Sequence, residues 1–185
     1  MALKSTIYKA ELQLSDMDRQ VYGEHSLTLA LHPSETEERL MMRLLMFALN
    51  VLGDDSQGQL QFAKGLSDTE EPDLWHKDYA GQILHWIEVG QPDERRLSKA
   101  CSRSEQVTIL SYAASTPVWF SGLQNKITRL KGLRIWQLPT EQSQALASLA
   151  QRSMRLQATI QDGLVWISEG ERTLELRPSL LHESH

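Results

Sequence analysis

Between residues 5 and 14, STIYKAELQL, apolar Tyr8, Ala10, Leu12 and Leu14 alternate with polar Lys9, Glu11 and Gln13. A period of two puts each set on its own side of an extended chain, so the segment predicts a half-buried strand. Residues 24–31, EHSLTLAL, repeat the pattern with Leu27, Leu29 and Leu31. The polar link SDMDRQVYG predicts an antiparallel pair joined by a loop too long for a tight turn. The period changes after His32-Pro33-Ser34. Ser34 and Glu37 have the spacing of a capping box in front of ERLMMRLLMFALNVL, a helix apolar on most sides that stops at Gly53. On this helix Glu38 falls within about 40° of the stripe of Met41, Met42, Leu45 and Leu49. A carboxylate there needs a partner. Either Arg39 or Arg43 bonds it, or it stays in the exposed first turn, where the helix dipole favours acids.

Three strands follow: around 60–63, from Asp73, and over 82–90. The last, QILHWIEVG, is nearly continuous in apolar residues, as in a strand covered on both faces. Alternation puts Leu84, Trp86, Glu88 and Gly90 on one face and Ile83, His85, Ile87 and Val89 on the other. Asp78 and Gly81 in the connection make the second and third strands an antiparallel hairpin. Pro92 opens a helix to about Ser102, with Asp93 and Glu94 in its first turn. Leu97, Ala100 and Cys101 form its apolar side; Pro92, Arg95, Arg96 and Lys99 lie along another. The strand 106–112, QVTILSY, pairs parallel with the strand of Glu88 through a right-handed crossover. A short helix or turn at 117–122 precedes a basic stretch of Lys126, Arg129, Lys131 and Arg134 around Gly132. A strand at 133–138 and a helix over 141–152 come next. Asp162-Gly163 between ATIQ and LVWI marks a type I′ hairpin. Thr173–Leu176 adds a strand, and the polar tail from Ser179 is expected to fray.

Composition narrows the function classes. One cysteine, Cys101, excludes an internal disulfide, and among apolar neighbours it reads as a small core residue. No window approaches a membrane span, and the N-terminal residues lack a secretory apolar run. The expectation is a cytoplasmic protein with no membrane partner. A net charge of -5 argues against a nucleic-acid coat protein, while leaving room for a local basic groove or a metal ion. There is no phosphate loop and no nucleophile elbow, and His76 and His85 have no metal-ligand spacing. The five tryptophans fall mostly on strand patterns and read as core.

The order helix–strand–strand–strand–helix–strand over residues 35–112 resembles the core of the PD-(D/E)XK nuclease-like fold. Pro72-Asp73 at its second strand and Glu88-Val89-Gly90 in its third stand where that fold keeps its acids. The opening MALKSTIYKAELQLSD, the run HPSETEERLMMRLLMFALN, the block WIEVGQPDERRLSKAC and LQATIQDG together look like the YaeQ family, small bacterial proteins assigned to this clan on fold. The resemblance implies one α/β domain over 1–185. Its mixed-sheet core spans 35–112, and antiparallel β-strands are added at 4–31 and 153–178. By similarity to active members of the clan, Asp73, Glu88 and the Val89 carbonyl would hold Mg²⁺ or Mn²⁺, which activates water at a phosphodiester. Glu38 would supply a further carboxylate. Gly90 stands where the active pattern has lysine; Lys99 on the following helix is the replacement candidate, and Arg95 and Arg96 the phosphate contacts. The implied function is a Mg²⁺-dependent nuclease-like phosphodiesterase. The alternative is a non-catalytic module of the same fold that binds nucleic acid or a protein partner, with a link to transcription. Read from the residues alone, Asp73 is also a turn residue after Pro72, and Glu88 a buried acid paired with Lys99 or Arg96.

Overall fold

In chain order the elements are β1 (Thr6–Asp16), β2 (Val21–Leu31), α1 (Glu37–Asn50), β3 (Gln59–Phe62), a 3-10 turn (Gly65–Ser67), β4 (Leu74–Lys77), β5 (Ile83–Val89), α2 (Glu94–Arg103), β6 (Ser104–Ser111), α3 (Thr116–Leu123), β7 (Leu133–Gln137), α4 (Thr140–Ala147), β8 (Ser153–Gln161), β9 (Leu164–Glu169), β10 (Arg172–Leu176) and β11 (Ser179–Glu183). This computed structural model describes residues 4–185; Met1–Leu3, which open the run quoted above, lie outside the described residues. The chain forms two compact units, Met1–Gly53 with Glu141–Arg177 and Asp54–Thr140 with Pro178–His185. Each holds one mixed sheet.

The first unit carries a five-stranded sheet in the order β10-β9-β8-β1-β2. The alternation of the opening segment is borne out: Tyr8, Ala10, Leu12 and Leu14 are buried and their neighbours exposed. Two expectations change. The link between β1 and β2 is a four-residue turn at 17–20, because pairing runs on to Asp16 opposite Val21 and Gln20 adopts a positive φ of 59°. The terminal strands are also not all antiparallel. β1 pairs parallel with β8, Leu12 opposite Leu156, which the long intervening chain permits. The β8–β9 hairpin turns as its Asp-Gly predicts, with φ of 54° at Asp162 and 76° at Gly163.

α1 starts two residues later than the capping box suggests. Thr36, not Ser34, is the N-cap and accepts from Arg39 N–H at 3.1 Å. Ser34 instead lies in the preceding turn, its hydroxyl 2.7 Å from His32 Nδ1. Every residue from Leu40 to Ala48 is buried. At the other end, the Arg19 guanidinium donates to the carbonyls of Ala48 and Val51, where a cation suits the helix dipole. α4 is shorter than the expected 141–152 and finishes in i→i+3 bonds from Leu149 to Leu146 and Ala150 to Ala147.

The second unit carries a six-stranded sheet, β11-β7-β6-β5-β4-β3. β5, β6 and β7 are mutually parallel, and β4–β5 is the expected antiparallel hairpin. Trp86, Val107, Ile109, Leu133 and Ile135 meet Leu97 and Ala100 of α2 and Leu123 of α3 in one fully buried cluster. α2 begins at Glu94 rather than at Pro92, because Asp93 caps it by accepting from Arg96 N–H at 2.8 Å. The tail from Ser179 does not fray. It forms β11 along β7, Ser179 opposite Gln137, and Gly132 N–H donates to Ser184 O at 3.1 Å.

Candidate functional site

Asp73 and Glu88 lie at the same end of the β4–β5 pair, where Asp73 N–H donates to Ile87 O at 3.1 Å. Asp73 precedes β4 and is 2% exposed; its Oδ2 accepts from Val89 N–H at 2.9 Å. Gly65, with φ 51°, packs on the other carboxylate oxygen so closely that a Cβ there would stand 2.6 Å from Asp73 Oδ1. Asp73 thus ties the 3-10 turn to β5. Glu88 shares a face with Trp86, as alternation requires. Its Oε1 accepts from Trp86 Nε1 at 2.9 Å, from Arg96 Nε at 2.7 Å and from Arg96 Nη2 at 2.6 Å. Its Oε2 has no protein partner among the described residues. Gly90 has φ 122°, and open space lies where its Cβ would stand.

The basic face of α2 turns toward the loop that precedes Pro72. Arg96 also donates to the carbonyls of Thr69 and Glu71. Lys99 Nζ lies 2.7 Å from Glu70 Oε1, and Arg103 lies 2.8 Å from Glu70 Oε2. Residues 96, 99 and 103 lie on one stripe of the helix, so one loop engages all three. Arg95 is exposed and unpartnered among the described residues. The two open readings of Glu88 resolve to Arg96, not Lys99. Glu70 was legible only as a second acid beside Glu71; its role needed the loop to fold over α2.

Glu38 belongs to the first unit. Its Oε2 accepts from Ser143 Oγ at 2.9 Å, a partner other than the expected Arg39 or Arg43. Those arginines hold Glu35 instead. Arg43 donates to both Glu35 oxygens, at 2.9 and 2.7 Å, and Arg39 to Oε2 at 2.6 Å. The sequence reading passed over Glu35, because the phase of the helix start decides which acid of SETEE turns inward.

Two other chemistry-bearing groups lie in the second unit. His76 and His85 face each other across β4 and β5. His76 Nε2 lies 2.8 Å from Gln57 O and His85 Nε2 lies 2.6 Å from Thr108 Oγ1. Burial lowers His85 to about 4, and the nearby His76 and Arg134 push the same way. Burial also pushes the Cys101 thiol up to about 11, and the side chain packs, partly buried, against the core cluster.

The residues do not fit a divalent metal as arranged. Among the described residues no three His, Cys, Asp or Glu side chains gather as a metal-holding group. Arg96 already neutralises Glu88, and the Val89 N–H occupies Asp73 Oδ2.

These features define a two-sheet α/β protein whose buried strand acid is closed by an arginine. Among the described residues, no helix is long and apolar enough to cross a membrane. The family model described as YaeQ protein matches residues 1–178. The uncharacterized protein YaeQ of Escherichia coli (strain K12) is 43% identical over 178 residues, 95% of each chain. Its Salmonella typhi counterpart is 42% identical over 179 residues, 96% of each. The crystal structure of YaeQ from Xanthomonas axonopodis pv. citri has a TM-score of 0.89 and 46% identity, covering 97% of this chain and 99% of that one. That of YaeQ from Pseudomonas syringae has a TM-score of 0.89 and 38% identity, covering 97% of each. The chain belongs to the YaeQ family.

Proposed function

We propose that this protein is a non-catalytic module of the PD-(D/E)XK nuclease-like type that binds the phosphate backbone of nucleic acid without cleaving it. The observation that carries the reading is the Arg96 guanidinium, with Nε and Nη2 on Glu88 Oε1, Nη1 on the Thr69 carbonyl and Nη2 also on the Glu71 carbonyl. A guanidinium stays charged at every working pH, so it cannot act as a base. In this position it occupies the electrostatic role of a metal. Asp73 is spent on backbone closure and Lys99 on Glu70. The strand order β3-β4-β5-α2-β6 supports the nuclease-like relationship, which here carries architecture rather than chemistry.

A second reading is favoured by one observation, the Glu88 Oε2, which has no protein partner among the described residues. It is a Mg²⁺- or Mn²⁺-dependent phosphodiesterase using Asp73, Glu88, the Val89 carbonyl and Lys99. The donor set does not fit that metal without displacing Arg96 from Glu88.

A cleavage assay on DNA and RNA, single- and double-stranded, with Mg²⁺ or Mn²⁺ separates the two. The expected result is binding by fluorescence anisotropy with no cleavage, unchanged in Asp73→Ala and Glu88→Ala. Cleavage by the wild type that both substitutions abolish would establish the enzyme and sink the module.

A further inference from the structure

We infer that the turn between α3 and β7, residues 124–132, is the surface that grips the phosphate backbone, through Lys126, Arg129 and Lys131. The inference deepens the proposed function and rests on it. The second unit carries ten lysines and arginines, and most are engaged within the protein. Arg96 bonds Glu88, Lys99 and Arg103 bond Glu70, Lys64 lies near Glu71, Arg134 pairs with Glu183, and Lys77 lies over the Trp75 ring. Lys126, Arg129 and Lys131 are exposed and, with Arg95, have no partner among the described residues. In a chain of net charge -5, the run QNKITRLKGLR at 124–134 has four cations and no acid.

The turn is also held in shape. Ile127 is fully buried and Leu130 packs on the same core cluster, so the intervening cations face outward. Lys126 N–H bonds Leu123 O, Leu130 N–H bonds Ile127 O, and Gly132 O accepts from Val107 N–H on the neighbouring strand. Gly132, at φ 69°, lies against the Glu105 carbonyl, where a Cβ would come within 2.5 Å. A rigid display of cations loses less side-chain and loop entropy on binding.

The flanking groups select nucleic acid over other anionic surfaces. Gln124, Asn125 and Thr128 are exposed beside the cations, and such side chains bond phosphate and sugar oxygens. No large apolar residue is exposed within 124–132, so the turn lacks the anchor a lipid surface needs. The three cations present phosphate contacts and no array that reads bases, so binding is independent of sequence. Because β5, β6 and β7 run parallel, this turn enters the sheet at the end opposite Glu88 and Val89. A backbone held there stays away from the carboxylates, which matches binding without cleavage.

The test is anisotropy titration of duplex DNA and single-stranded RNA between 50 and 200 mM salt. It uses the wild type, the triple variant K126Q/R129Q/K131Q and a charge-matched control on exposed residues of the first unit, K4Q/K9Q/R155Q. The triple variant is expected to lose on the order of 100-fold in affinity at low salt, and its log–log salt slope to fall by about 2–3, with the control close to wild type. Wild-type slope and affinity in the triple variant would overturn this inference and leave the proposed function standing. No nucleic-acid binding by the wild type at 50 mM salt would overturn both. Binding of polyglutamate or phosphatidylglycerol vesicles, but not of nucleic acid, lost in the triple variant, would reassign the turn to another partner.

Discussion

The two units each bury a glutamate against an arginine, and they do it differently. In the first unit both Glu35 oxygens are taken: Oε1 accepts from His32 N–H and Arg43, Oε2 from Arg39 and Arg43. Side-chain exposure is 2% for Glu35 and 7% for Arg43. In the second unit all three bonds fall on Glu88 Oε1, and Arg96 is 24% exposed. The first pair is a closed structural knot that fastens α1 to the backbone of β2 at Ala30. The second leaves one carboxylate oxygen without a protein partner among the described residues. Only the second has the unspent valence that ligand chemistry needs, and there Arg96 supplies the positive charge beside the carboxylate.

Breaking the first knot should cost most. Arg43→Ala leaves a buried carboxylate half paired, and removing one partner of such a pair costs about 3–5 kcal/mol. Urea denaturation followed through Trp166, the tryptophan of the first unit, would read it. A loss no larger than that of an exposed substitution would mean that Arg39 alone satisfies Glu35. Arg96→Ala should cost less, about 1–3 kcal/mol, because its site is partly solvated. Glu88→Leu with Arg96→Met should recover much of that loss, since apolar replacement of both partners is often neutral. Failure to recover would show that the bonds from Arg96 to the loop carbonyls, not the ion pair, hold the site.

The pH dependence sharpens the contrast further. The folded value of His85 lies near 4, below its ordinary 6.5. The unfolded chain therefore binds this proton first as the pH falls. Stability from the neutral, buried ring is present above about 6.5 and is lost as the pH falls toward 4, at up to about 1.4 kcal/mol per pH unit. His85→Asn should flatten that slope, read as urea midpoints across pH 4 to 7; an unchanged slope would assign it to other groups. The smallest effect is expected from Lys99→Ala. Its partner Glu70 is exposed, so the urea midpoint should not move measurably, and salt screens what remains. A clear loss would show that the Lys99–Glu70 pair helps to hold the loop on α2.

Much of this fold was legible because it is local. Alternation in STIYKAELQL, the unbroken apolar run of β5, the Asp162-Gly163 turn and the acid in the first turn of α2 all act within a few residues, and each predicts its element. The candidate region was legible in its parts: Asp73 lies at Val89, the residue after Glu88, and α2 presents a basic stripe. The partners were not legible. Lys99 meets Glu70 and Arg96 meets Glu88 because a loop 25 to 30 residues earlier folds over the helix, and both pairings satisfy the same charge pattern.

The sequence by itself determined where strands and helices lie, since side-chain period and turn chemistry are properties of neighbouring residues. The tertiary structure decided what depended on distant chain. β1 runs parallel to β8, more than 140 residues away, and the polar tail becomes β11 because the edge of β7 offers it unpaired backbone groups. The start of α1 settled at Thr36, and with it Glu35 rather than Glu38 received the arginines. A carboxylate is indifferent to which cation neutralises it until packing fixes which one can reach, and that choice separated the structural acid from the candidate one.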